Sequence, residues 1–368
     1  MRVILHWLPM MLFAVVLFVS DTAAEDSTKQ WFHPKTQQLD VSETGPFAQL
    51  KDGTLVTVRG GDALLSRDDG KTWERRLISS SHNLKASPEI VVFLTREGTL
   101  IIALLNLTQE KWGWDEKENR PIEGVQLPVW TARSTDGGQT WTDVQEIQGD
   151  WCGAVRSMIQ TRDGALVLSS THMAYPQAYH TSVTYVSNDD GKTWRRSNHI
   201  DIGGRGHHDG IIEGTLAELR DGRIWYLLRT NHDVFYQAFS KDGLTWTDVG
   251  PSEIAAGSSP AQLLRLASKR LVLVWNRLSP EGQPVSFRRG GVFSERSASW
   301  HREELSIAFS DDDGQTWTKP VVLARNQPQT DFAYPWILER RPGELWITTM
   351  VGDLKLRVME VDFVVQSE

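Results

Sequence analysis

The chain has 368 residues, a formal net charge of −8 and a single cysteine, Cys152. An acidic balance with no dense basic run excludes a nucleic-acid partner, and one cysteine excludes an internal disulfide and a thiolate metal site. The length predicts two domains unless an internal repeat extends one core without thickening it.

Arg2 precedes an apolar run from Val3 to Val19, followed by Asp21-Thr22-Ala23-Ala24-Glu25. A positive start, a short apolar stretch and small residues before an acidic segment predict a secretory signal peptide cut after Ala24, with an uncleaved membrane anchor as the alternative. Residues 1–24 are therefore set apart, and 25–368 are expected to form one secreted or periplasmic domain. Once the leader is cut, no stretch is apolar enough to span a bilayer.

A phrase begins at Ser66-Arg67-Asp68-Asp69-Gly70-Lys71-Thr72-Trp73 and returns at 134–141, 187–194, 240–246 and 310–317, the fourth copy one residue short. A short Asp side chain can bond backbone amides across a tight turn, Gly supplies a backbone angle that other residues resist, and Thr-Trp then starts a strand. Five identical turns cannot converge on one substrate, so the phrase is structural. Five of the sixteen tryptophans close it, at 73, 141, 194, 246 and 317.

Between these turns runs a second hairpin, read as "AQLKDGTLVTV", "VVFLTREGTLIIAL", "MIQTRDGALVLSS", "LAELRDGRIWYLL", "LLRLASKRLVLVW" and "ILERRPGELWITTM". Four strands per unit and six units predict an all-β, six-bladed β-propeller, with blades starting near 44, 87, 153, 210, 258 and 331. Aligned on their turns, the first hairpins carry Thr44, Glu89, Val155 followed by Arg156, Glu213, Pro260 and Tyr334 at the entering end. Arg59, Asn106, His172, Arg229, Asn276 and Arg277 stand at the returning end. This polar ring is expected to converge on the axis.

The S-x-D-x-G-x-T-W phrases are Asp boxes, and with the blade pattern the chain resembles the sialidase (neuraminidase) superfamily over about residues 40–365. "EGTLAELRDGRIWYLLRT" is similar to the blade that bears that family's catalytic glutamate and second arginine, here Glu213 and Arg229. Arg302 in "REELSIAFSDDDGQTW" matches the third arginine, and Tyr334 in "YPWILERRPGELW" the nucleophilic tyrosine. The resemblance implies hydrolysis of a terminal anionic sugar on a glycan, with retention and without cofactor or metal. Tyr334 would attack with Glu213 as its base, while Arg229 and Arg302 hold the carboxylate. A neutral phenol suits an anomeric carbon that itself carries a carboxylate, because an anionic nucleophile would be repelled.

Two positions depart from the family, which keeps a glycosidase of shifted specificity and a non-catalytic glycan-binding propeller as alternatives. Thr44 stands where the first arginine is expected, leaving Arg59 or Arg156 as substitute charges. The loop that carries the acid aspartate is reduced to "RGGDALLS". Asp209 is then the first candidate for proton donor, with Glu89 and Asp62 behind it. His208 and Asn276 are further candidates for substrate contact. The His207-His208-Asp209 cluster suits a proton donor, a substrate clamp or an incomplete metal site. Trp112 and Trp114, in a long blade-two insertion, suit either a sugar ring or their own packing.

Overall fold

A computed structural model of the protein describes residues 29–364, so the signal-peptide reading of 1–24 lies outside the described residues. Six antiparallel sheets follow one another along the chain. Blade one holds Ala48–Gln49, Leu55–Arg59, Asp62–Ser66 and Glu74–Leu77; blade four holds Ile212–Glu218, Ile224–Arg229, Val234–Ser240 and Thr247–Ala255. The first strands of neighbouring blades touch, so they line the axis. The six-bladed propeller expected from the repeat is the observed architecture.

Packing explains why the repeat needs a ring. The buried apolar side chains fall into clusters that lie between blades rather than inside them. Leu305, Ile307 and Phe309 of blade five meet Leu345 and Ile347 of blade six, for example, and Val56 and Val58 of blade one meet Ile102 and Leu104 of blade two. A single blade therefore cannot bury its own faces.

Closure was not legible in the sequence. Blade six contributes Ala333–Arg341, Glu344–Val351 and Lys355–Met359, and its fourth strand is the N-terminal segment Thr36–Gln38, which pairs Thr36 with Val358. Just before it, Trp31–Phe32 adds a fifth strand to the outer edge of blade five, opposite Arg325 and Ala324. Both segments cover edges that would otherwise offer unpaired backbone groups.

The Asp boxes sit at the turn between third and fourth strands. In blade one Asp68 accepts hydrogen bonds from the amide and hydroxyl of Thr72 at 2.9 and 2.7 Å, and Ser66 Oγ accepts the Gly70 amide at 2.8 Å. The shortened fourth copy keeps the glycine bond, Gly243 to Ser240 at 2.9 Å, but its Thr245 hydroxyl stands 3.5 Å from Asp242. Each box also presses on the preceding blade. A Cβ on Gly314, where φ is +85°, would lie 2.6 Å from the Trp225 ring. One on Gly243 would lie 2.9 Å from Val167. The second aspartate of a box adds a polar link: Asp190 of blade three receives Arg133 and Thr99 of blade two.

Candidate active site

Five side chains from blades three to six meet at the axis. Glu213 opens the first strand of blade four, where the pairing with the second strand slips between Ile212 and Thr215. At that bulge Glu213 takes a φ of +50°, and Gly214 leaves room for the Tyr226 ring, which a Cβ would approach to 2.3 Å. Tyr334, in the first strand of blade six, has a φ of +62°. A left-handed glutamate and a left-handed tyrosine each cost about 1 kcal/mol or more, and such strain concentrates at functional sites.

The strained pair is in direct contact. The Tyr334 hydroxyl donates to Glu213 Oε1 at 3.1 Å, and Arg229 Nη1 donates to the same hydroxyl at 3.1 Å and to Glu213 Oε2 at 2.5 Å. The ring of Tyr334 lies between two more cations, with the Arg156 guanidinium 5.0 Å and the Arg302 guanidinium 5.4 Å from its centre. Arg156 is also tied to Glu89 at 3.0 Å and to the Pro335 carbonyl at 3.1 Å, so blades two, three and six are clamped at one point. Tyr334 itself keeps solvent-accessible surface.

These surroundings split the ionisation of the pair. Burial and the Glu213 charge push the Tyr334 phenol above its ordinary value, against Arg229 and Arg302, so it rests neutral. Burial also pushes on Glu213, but Arg229 and Arg156, with the hydrogen bond from Arg229, outweigh it and hold the carboxyl below its usual range. A neutral phenol donating to an ionised carboxylate is the resting state.

Two residues that sequence reasoning passed over align the arginines. Ser258 Oγ accepts from Arg229 Nε and Nη2 at 3.1 and 2.9 Å, and its carbonyl accepts from Arg302 Nη2 at 2.5 Å. Trp300 covers both, with its ring centre 4.2 Å from the Arg302 guanidinium and 5.5 Å from that of Arg229. Ser258 lies two residues before the aligned Pro260 and Trp300 two before Arg302, so only their neighbours carried a signal.

Other predicted residues lie outside this cluster. Asp209 spends its carboxylate on the amides of Arg205 and Gly210, both at 2.9 Å, and thereby shapes the loop before blade four. Arg59 is committed to Glu43 and to Thr44 at the edge of blade one. Asp62 pairs with Arg75. Asn276 is saturated by the Arg302, Glu304 and Phe332 carbonyls and the Ser259 hydroxyl, so it braces the strands bearing Arg302 and Tyr334. Glu89 does reach the cluster, through Arg156.

Beside Glu213 opens a cavity of about 320 Å³ lined by Trp112, Trp151, Thr171, His180, His207 and His208, among others. Burial holds His180 down at about 4 and also lowers His207 and His208, so the imidazoles rest neutral at pH 7. Trp112 stacks on Trp114 and packs against Trp151 and His207, yet stays 44% exposed at the mouth. Among the described residues no group of three or more His, Cys, Asp or Glu could hold a metal, and no helix is long and apolar enough to cross a membrane.

Propeller and axial cluster together define a sialidase-like scaffold. A family model described as a BNR repeat-like domain matches residues 90–347, and the chain belongs to that family, within the sialidase superfamily. A sialidase of Micromonospora viridifaciens is 26% identical over 317 residues, covering 77% of this chain and 45% of its own length. One of Bacteroides fragilis is 25% identical over 283 residues, covering 69% and 47%. The chain thus spans about half the length of the curated relatives it matches. Among solved structures, a Hadza microbial sialidase superposes with a TM-score of 0.58 at 17% identity, over 86% of this chain and 65% of that one. An α-L-arabinofuranosidase of Fusarium graminearum gives 0.58 at 14%, over 90% and 100%. At these identities the structural likeness concerns the fold.

Proposed function

We propose that the protein is a retaining exo-glycoside hydrolase that removes a terminal acidic sugar, of the sialic acid type, from a glycan. The observation that supports it best is the hydroxyl of Tyr334 held between the Glu213 carboxylate and the Arg229 guanidinium. A phenol is a poor nucleophile near its ordinary pKa of about 10, and an adjacent ionised carboxylate that takes its proton removes that handicap. Arg229 is placed to stabilise the phenolate as it forms, while Arg302 adds a second guanidinium of a kind suited to a carboxylate. The cavity beside Glu213, with neutral imidazoles and indoles, suits the uncharged distal part of the sugar.

In the first step Tyr334 Oη bonds the anomeric carbon, its proton passes to Glu213 and the glycosidic bond breaks. In the second, water attacks from the face the leaving group vacated and displaces the phenolate, and the two inversions together retain the configuration. The sialidase relatives support the acidic sugar. Trp300, lying over both arginines, leaves a neutral pentose as the second reading, the class of sugar named for the arabinofuranosidase of the same fold. Export, by cleavage after Ala24, belongs to the same proposal and is checked by N-terminal sequencing of the secreted protein.

A panel of chromogenic glycosides decides between the readings. Turnover of the sialoside, lost in Tyr334→Phe, is the expected result. Turnover of the arabinofuranoside alone would replace the acidic sugar with the neutral one. Saturable glycan binding without turnover of either would make the protein a glycan-binding propeller.

A further inference from the structure

The double displacement needs a proton donor for the departing oxygen, and the loop aspartate implied by the resemblance has no counterpart at the axis. We infer that Glu89, at the start of blade two, is that donor, and that Arg156 is its positioning residue. The inference rests on the hydrolase reading above and adds the residue that reading lacks.

Elimination narrows the field first. Glu213 has both oxygens engaged, Oε1 by the Tyr334 hydroxyl and Oε2 by Arg229, and is ionised. Asp209 is closed off by two backbone amides and Asp62 by Arg75. Of these four carboxyl groups, Glu89 is both coupled to the cluster and left with an oxygen to use. Its Oε2 meets Arg156 Nη1 at 3.0 Å, and that same guanidinium stacks 5.0 Å from the Tyr334 ring centre. Ser87 Oγ accepts the Glu89 amide at 3.1 Å, where the pairing of the first two strands slips between Ala86 and Ile90, so the backbone is fixed at the point where the side chain leaves the sheet.

The two glutamates are equally exposed, each with 11% of its side chain accessible, yet their environments act in opposite directions. Glu213 has Arg229 in contact with Arg156 and Arg302 nearby. Glu89 has Arg156 in contact, Arg229 at longer range and the Glu213 anion working against it. Burial and that anion push the Glu89 carboxyl up to about 7. Two carboxyl groups separated in this way are matched to acid and base roles at neutral pH.

The step balances without a further reagent. The Glu89 proton moves to the glycosidic oxygen as its bond to the anomeric carbon breaks, while Tyr334 Oη forms the new bond and gives its proton to Glu213. Glu89, now a carboxylate, takes a proton from the water that attacks the same carbon. The Tyr334 phenolate then recovers its proton from Glu213. Arg156 also stands where the missing first arginine would leave the phenol without a cation on that side. One ion pair, Arg156 with Glu89, thus answers both departures at Thr44 and in the shortened loop.

The test compares Glu89→Gln with the wild type on two sialosides, one with a nitrophenol leaving group and one with a sugar leaving group. Loss of general-acid assistance should lower kcat/KM for the sugar leaving group roughly 10²- to 10⁴-fold and spare the nitrophenol substrate, which departs with little protonation. Added azide should accelerate Glu89→Ala and yield the glycosyl azide of retained configuration, because azide needs no base. The alkaline limb of the kcat/KM profile should vanish in Glu89→Gln. Equal losses on both substrates, no azide product, or an unchanged alkaline limb would overturn the assignment while leaving the hydrolase reading standing. A wild type inert to both substrates would instead overturn the hydrolase reading, and the donor with it.

Discussion

The outer rim and the axial pit use the same unusual backbone for opposite ends. At the rim, Asp69, Asp190 and Asp313 adopt positive φ beside glycines that do the same, and each turn closes on its own serine, aspartate and threonine. At the pit, Glu213 and Tyr334 adopt it without a hydrogen bond inside a turn, and they are held by each other, from blades four and six, and by Arg229. A strained residue satisfied by its sequence neighbours is a turn. One satisfied by partners 16 to 121 residues away is a site.

The contrast is most open to breakage at the phenol. Tyr334→Phe should leave the melting temperature nearly unchanged and lower kcat roughly 10⁴-fold or more, since a residue acting as one unit with its base is lost whole. A large drop in melting temperature with activity retained would assign the tyrosine to the scaffold. Gly314→Ala should do the reverse. A methyl forced against Trp225 at a positive φ should cost about 3 kcal/mol of stability in denaturant titration, combining overpacking and backbone strain, with kcat of the surviving enzyme unchanged.

The pH dependence sharpens the same comparison. In the pit, activity should fall as Glu89 loses its proton near pH 7. Because Arg156 lowers the Glu89 pKa, Arg156→Gln should move that alkaline limb upward, by about one pH unit if the pair is worth the usual 1.4 kcal/mol per unit. At the rim, the threonine amide and hydroxyl hold Asp68 down at about 2, and similar bonds hold Asp136, Asp189, Asp242 and Asp312 low, outweighing partial desolvation. Groups with a depressed folded pKa stabilise the protein above the unfolded value of about 3.9 and lose that contribution as pH falls through the folded one. Acid unfolding should therefore begin below about pH 4 and run toward pH 2, followed by circular dichroism. The smallest difference lies within the rim: Asp242→Asn should cost less than Asp312→Asn, because the fourth box already holds its threonine hydroxyl at 3.5 Å against 2.6 Å in the fifth.

Legibility followed the range of the interactions. The Asp boxes and the six alternating hairpins were readable because their partners lie within a few residues, and periodic spacing repeats that signal. Glu213, Arg229, Arg302 and Tyr334 were found through blade position and a family resemblance, and the pit does bring them together. Asp209 stands near Glu213 in the chain and so ranks first as donor on sequence, yet its carboxylate is consumed by amides in its own loop. Thr36–Gln38 gave no strand signal, since a three-residue polar edge strand is defined by its partner Lys355–Met359 and not by its own pattern.

The sequence by itself determined the blade, its turns and the number of copies, because hydrogen bonds across four residues and alternation along a strand are local properties. Only the tertiary structure decided which charges face one another: Arg156 with Glu89, Arg229 with both Glu213 and Tyr334, Asn276 with three carbonyls. Those choices depend on distances between blades separated by up to 179 residues, as for Arg156 and the Pro335 carbonyl, and on which groups the ring removes from water. Ionisation follows from that removal, so the opposite shifts of two similar glutamates were decided by the packing around them.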